Sequence, residues 1–310
     1  MLQQSRSIIS RNQSPDVPFG QSINPYQGCE HGCVYCYARP THAYLDLSPG
    51  LDFETRLFGK QNAAELLRRE LARPGYRCEV IALGAKTDPY QSVEREHRIT
   101  RAILEVLAEH HHPVGIVTKS ALVQRDIDIL AKMSAEHLVH VFVSITSLDA
   151  GLSRRMEPRA AAPHRRLETL GRLSEAGIPC GVLMAPVIPF VNDNDLEGVL
   201  EAAAEKGACM AGYVVLRLPH EVSGMFRDWL RLHYPLKAGH VMARIQDMRR
   251  GRDYDADFNQ RMNGQGPMSK MISKRFAIAC RRLGLASGER FVLDTALFRV
   301  PTSGRQLGLF

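Results

Sequence analysis

Cys29, Cys33 and Cys36 stand within eight residues of one another, in the run Gly28-Cys29-Glu30-His31-Gly32-Cys33-Val34-Tyr35-Cys36-Tyr37. Thiolates at this spacing suit an iron–sulfur cluster with one protein ligand fewer than the four that close an electron carrier, so one iron stays free to coordinate something that reacts. Gly28 and Gly32 permit the sharp backbone turns that wrapping one cluster demands. Two other readings remain open on these residues alone: a zinc knuckle completed by His31 or His42, and three unrelated buried cysteines. Zinc sites usually come as two paired Cys/His couples, and no second couple with that spacing follows. Cys78, Cys180, Cys209 and Cys280 occur singly, as core or incidental thiols do.

Cys-x3-Cys-x2-Cys with an aromatic residue, Tyr35, before its last cysteine resembles the radical S-adenosylmethionine (SAM) superfamily, and Gly28 to Tyr37 resembles its spore photoproduct lyase-like branch. The resemblance implies a [4Fe–4S] cluster on Cys29, Cys33 and Cys36, whose open iron binds SAM. One electron then cleaves the sulfonium to a 5′-deoxyadenosyl radical, with the cofactors carrying the chemistry and the protein orienting and shielding them. It also implies a reductase, flavodoxin or ferredoxin as electron donor.

The same resemblance extends over residues 21–190 and assigns further positions in chain order. Thr87 and Asp88 would accept from the SAM amino group, Lys119 would pair with its carboxylate, Ser144 would bind it at the fourth strand, and Ala185 would meet the adenine. Read without the resemblance, Thr87-Asp88-Pro89 is ordinary turn chemistry, Lys119 an exposed strand end and Ser144 a satisfied core hydroxyl. Met156-Glu157-Pro158 and Arg165-Arg166 resemble the branch's next loop and helix, with either arginine a possible charge partner or simply an exposed ion pair. One departure bears on the reaction: the branch's hydrogen-donating cysteine falls at Ala85, which has no hydrogen to give. Tyr35, Tyr37 or Cys180 would have to substitute, which puts reversal of a thymine dimer by the branch's route in doubt.

The elements that must position these residues read as an α/β chain. Strands are expected at 21–27, 80–83, 114–118, 139–145, 180–186 and 213–218, with amphipathic helices between them, such as the face shared by Ile99, Ile103, Val106 and Leu107. Six βα units fall short of a closed barrel of eight, and the resemblance implies a partial (β/α)6 barrel whose chemistry gathers at the carboxyl ends of the strands. The expected division is a flexible arm over 1–20, the partial barrel over 21–220, a basic helical lobe over 221–290 and a tail over 291–310. Helices are expected there at 226–232, 238–250 and 268–282.

The chain has 310 residues, 45% of them hydrophobic, ample for a buried core. No apolar run approaches a membrane span, the first twenty residues lack a signal peptide's hydrophobic centre, and seven cysteines fit no disulfide framework, so the expected compartment is the cytoplasm. The net charge of +7 resides entirely in 236–282, where eleven Lys and Arg face four Asp. Such a segment suits DNA or another phosphate-bearing partner, and equally a solvated helical face. The final Gln306-Leu307-Gly308-Leu309-Phe310 resembles the peptide that docks bacterial repair enzymes on the sliding clamp through Gln306, Leu307, Leu309 and Phe310. Together these features favour a radical SAM enzyme of DNA repair or nucleic-acid modification. The alternatives are the same radical chemistry on a peptide or small molecule, and a zinc-stabilised, non-catalytic DNA-binding adaptor.

Overall fold

The computed structural model describes residues 1–287 and 292–300. Six parallel strands form one sheet in sequence order. They are β1 (Gln21–Ile23), β2 (Ile81–Leu83), β3 (Val114–Thr118), β4 (Val139–Ser144), β5 (Cys180–Val187) and β6 (Met210–Val215). Helices α1 (Ala63–Leu71), α2 (Ile99–Glu109), α3 (Ile127–Ala135), α4 (Pro163–Glu175) and α5 (Leu196–Glu205) fill the crossovers. Neither β1 nor β6 pairs with the other, so the strands make a partial (β/α)6 barrel.

Alternation along the strands explains why this sheet has a filled outside and a hollow inside. Val139, Val141 and Val143 are wholly buried against the helices, whereas His140 and Phe142 on the opposite face are only partly buried. With Val80, Ala82, Val117, Leu183 and Met210 they line an inner cavity of about 490 Å³. On the outer side, Leu67 and Leu71 of α1, Ile103 and Leu107 of α2 and Leu196, Val199 and Leu200 of α5 complete the main core. These helices present the faces that their periodicity predicts.

Several boundaries differ from the sequence expectation. The first strand stops at Ile23; Tyr26–Gln27 leaves the sheet and pairs with Phe58–Lys60, which also pairs with Leu2–Gln3. Pro25 between the two stretches has no N–H for a continued ladder. The sixth strand starts at Met210, not Tyr213, because Met210 aligns with Gly181 of β5, and it ends before Leu216 and Leu218.

The expected loose arm over 1–20 is instead built into the fold. Ile9–Arg11 pairs antiparallel with β1, Ile8 is buried, and the amides of Ile8 and Ile9 donate to the Glu70 carboxylate. Residues 15–19 then cross the barrel as a strap, with Val17 and Phe19 bordering its interior. Asp16 ties the strap down, accepting from the Asn259 amide and from Arg261 Nε, each at 2.5 Å.

Three more helices follow: α6 (Glu221–His233), α7 (Ala238–Asp247) and α8 (Gly266–Leu283). They do not form one lobe. Ile272, Phe276 and Ala279 of α8 join the main core, while Phe226, Leu230, Val241 and Ile245 of α6 and α7 form a second core with Cys33, Tyr35, Leu152 and Met156. Nor is the charge one open face. Arg249 is fully buried on backbone carbonyls, and Arg275 is clamped to Glu197 of α5 at 2.6 Å. Lys270, Lys274 and Arg281 of α8 stay exposed.

The backbone after α8 returns to the sheet, where Ala286 bridges Met210, and Leu293 borders the inner cavity. Residues 306–310 lie outside the described residues. Among the described residues, no helix is long and apolar enough to cross a membrane.

Candidate active site at the carboxyl ends of the strands

The cysteine loop leaves the small sheet at Gly28, whose φ of +79° puts it in the left-handed region. A Cβ there would stand 2.9 Å from the Phe53 carbonyl, so any other residue strains the entry to the loop. The Cys29 amide donates to that carbonyl at 2.9 Å, the Val34 amide to the Met156 carbonyl at 3.0 Å, and the Cys36 amide to the Cys33 carbonyl at 3.2 Å. Buried Arg39 holds the loop from beneath, donating to the Cys33, Pro49 and Gly50 carbonyls and pairing with Glu54 at 2.5 Å. Gln91, beyond β2, receives the Glu30 amide and donates to the Gly28 carbonyl.

All three cysteines open on one cavity of about 250 Å³, together with the ends of β2, β3, β5 and β6. Burial pushes their thiols up, Cys29 to about 12, with the charges of Asp88 and Cys36 adding to the effect. Thiols in such surroundings ionise when a metal holds them. The donor set fits a three-thiolate cluster. Among the described residues no three His, Cys, Asp or Glu side chains converge as a single ion requires. His42 is occupied elsewhere, its Nε2 bonded to the Arg56 carbonyl at 3.1 Å and its ring edge against Phe53. His31 Nδ1 lies 3.4 Å from Asp88.

Thr87 and Asp88 hold strand ends together. Thr87 Oγ1 donates to the Tyr26 carbonyl at 2.8 Å, and Asp88 accepts from Thr118 Oγ1 and from the Tyr90 and Lys119 amides at 2.7–2.9 Å. Their turn role is visible, and both still border the cavity. Lys119 places its ammonium 5.9 Å from the Tyr35 ring centre. Ala185 lines the opposite wall. Ser144 is fully buried and does not border the cavity, and its Oγ has no hydrogen-bond partner.

The two tyrosines differ. Tyr35 is buried and donates to Glu157, which pairs with Arg166 at 2.5 Å and accepts from Thr146. Burial first, then the Glu157 charge, pushes its phenol well up. Tyr37 is 41% exposed and donates to the Ala85 carbonyl, with the Arg217 guanidinium 4.7 Å over its ring. Arg166, not Arg165, is the buried charge partner; Arg165 pairs with Glu168 at the surface. Cys180 faces the main core, its Sγ toward the Leu170 carbonyl, and does not border the cavity. It is thus removed as a hydrogen donor.

Sequence reasoning missed Arg39, Gln91 and Arg217, and gave Glu157 no role. The signal for Arg217 was a lone cation inside the apolar run Val214-Val215-Leu216-Arg217-Leu218.

With this geometry in view, comparison with known proteins identifies the class. Residues 23–203 match the radical SAM superfamily, and the chain belongs to it. Its cofactors are accordingly a [4Fe–4S] cluster and SAM. The chain is 39% identical over 224 residues to the uncharacterized protein Rv2578c of Mycobacterium tuberculosis, covering 71% of this chain and 65% of that protein, just under two thirds of its length. It is 27% identical over 213 residues to the uncharacterized protein MJ0683 of Methanocaldococcus jannaschii, covering 69% of this chain and 76% of that one. Among solved structures, spore photoproduct lyase complexed with dinucleoside spore photoproduct superposes with a TM-score of 0.65 at 12% identity, over 92% of this chain and 80% of that one, a likeness of fold.

Proposed function

We propose that Cys29, Cys33 and Cys36 hold the cluster and that the chain is a radical SAM enzyme acting on DNA, in repair or base modification. The observation that carries this reading is the convergence of three thiols of one loop, two of them buried and one half-buried, on the cavity where four strands end. When bound, the cluster and SAM supply a 5′-deoxyadenosyl radical. Lys119 supplies a cation for the SAM carboxylate, Asp88 an acceptor beside it, Ser144 a free hydroxyl, and Ala185 an apolar wall. In this reading Tyr37, which borders the cavity and donates to the Ala85 carbonyl, meets substrate, and Tyr35 braces the loop through Glu157. With alanine at residue 85, the reaction differs from a cysteine-dependent dimer reversal. The electron comes from a reductase, flavodoxin or ferredoxin, and residues 306–310 dock a sliding clamp; clamp pull-down undiminished after their deletion would remove that partner.

Support for DNA comes from the fold shared with spore photoproduct lyase and from the three exposed cations of α8. The test is anaerobic incubation of reconstituted protein with SAM, dithionite and candidate DNAs, following 5′-deoxyadenosine and altered nucleosides. DNA binding is expected to weaken as salt rises, and K270E/K274E/R281E to lower the salt slope by roughly three, about one per cation. Arg275 is unsuited to this test because it clamps α5. Salt-independent turnover of a peptide or small molecule, with no nucleoside altered, would overturn the DNA assignment and leave the radical chemistry standing.

A further inference from the structure

The strongest unexplained charge among the described residues is Arg217, just beyond β6. Its guanidinium borders the cysteine cavity, 4.7 Å from the Tyr37 ring centre and 5.9 Å from that of Tyr254. Its polar contacts are the Tyr254 hydroxyl at 3.3 Å and Met262 Sδ at 3.5 Å, and its Nε is buried without a partner. Among the described residues it has no carboxylate partner. Arg249 lies close by, fully buried, with its Nε also unpartnered. Burial first, then the neighbouring Arg217, lower the Arg249 guanidinium to about 10. Asp255 is the acid facing Arg249, and it is shared with Arg250 at 3.7 Å.

A guanidinium cannot shed its charge at any ordinary pH, so this corner stays positive. Aromatic faces and a thioether offset only part of the cost of withdrawing a cation from water. By contrast, three arginines around the cysteine loop and the strap are neutralised: Arg39 by Glu54, Arg166 by Glu157, Arg261 by Asp16. Lys86 and Lys119, the other cations bordering the cavity without an ion pair among the described residues, follow β2 and β3, with β4 and β5 between Lys119 and β6. The cavity thus holds three cations, Arg217 on the far side from the two lysines, and SAM has one carboxylate.

We propose that Arg217 is a substrate-binding residue that receives an oxyanion, the phosphodiester of the nucleic-acid strand entering the cavity. This rests on the DNA reading above for the identity of the anion. The charge pattern supports it: Tyr254 and Met262, which wall Arg217, belong to the segment 236–282 that carries the whole positive excess of the chain. A ligand with one anion at Arg217 and others along this segment meets cations throughout. Tyr37 covers the guanidinium face, and each terminal nitrogen, engaged once by Met262 or Tyr254, keeps a second N–H to donate to a phosphate oxygen.

The test measures binding of thymidylyl-thymidine and of its uncharged methylphosphonate analogue to the cluster-reconstituted full chain and to R217K and R217Q. The wild type is expected to prefer the phosphodiester by about tenfold or more, R217Q to lose that preference, and R217K to keep part of it. Comparing two ligands on one protein needs no variant, so a poorly folding R217Q leaves the question answerable. Equal affinity of the wild type for both ligands would overturn the proposal. So would a loss of SAM binding in R217Q as large as its loss of dinucleotide, which would assign Arg217 to the cofactor. Arg217-dependent binding of inorganic pyrophosphate without binding of any dinucleotide would keep the anion site and overturn the DNA reading instead.

Discussion

The Cys33→Ala protein, reconstituted with iron and sulfide under anaerobic conditions, is expected to retain little cluster and to form 5′-deoxyadenosine at background. Two remaining thiolates cannot hold three corners of a cubane. Changes even one layer out from a metal cost up to about a hundredfold, so loss of a ligand itself should exceed that. Cys33 also packs with Leu152 and Met156 in the second core, and the truncation removes a sulfur from it. Iron content distinguishes the two effects, because packing loss lowers the melting temperature without emptying the site. Cys280→Ala is the matched control: another buried cysteine, in the main core away from the cavity, whose loss should leave iron unchanged. Full iron in the Cys33→Ala protein would withdraw the cluster assignment.

The Glu157→Gln protein should be less stable by about 3–5 kcal/mol, as expected when one member of a buried ion pair is removed and the other is left behind. Glu157 joins three elements: it pairs with Arg166 of α4, receives Tyr35 of the cysteine loop and accepts from Thr146 after β4. The amide keeps the shape and leaves Arg166 without its charge. Burial alone would lift the Glu157 carboxyl, but Arg166 and Lys119 outweigh it and hold it below the usual carboxylate range. A carboxyl depressed in the folded protein contributes stability that is complete above its unfolded value and lost as pH falls through the folded one. The wild type should therefore lose this contribution from about pH 4.3 downward, and the variant should lack that component. Denaturant unfolding at pH 7 and across the acid range measures both. A change below about 1 kcal/mol at pH 7 would show that the pair is not what braces the loop.

The parts of this molecule written in short-range pattern were legible in the sequence. β3 runs over Val114–Thr118 as its apolar run predicts, and the faces of α1, α2, α5 and α8 are those of their periodicity. The cysteine loop was legible because its spacing is chemistry in itself. What escaped was long-range partnership. Nothing local in residues 1–20 says that Ile9–Arg11 will pair with β1 or that Asp16 will meet Arg261. Composition marked 236–282 as basic, yet which arginines are neutralised depends on acids brought from elsewhere, such as Glu197 to Arg275. Arg166 could not be told from Arg165 without knowing which side of α4 faces Glu157. Thr87 and Asp88 read as cofactor acceptors and as turn formers alike, and their bonds to Tyr26 and to the end of β3 show the second role.

A half-closed sheet carries a hazard that a full barrel does not: two unpaired margins on which another chain could template a fibril. Here neither margin is bare. On one flank Ile9–Arg11 covers β1 with a ladder of three residues, too short and too polar to propagate. On the other, the amides of Ala211 and Val215 are already taken by the carbonyls of Ala286 and Met262. The sheet can stay open as a container for a large guest while offering aggregation no seed.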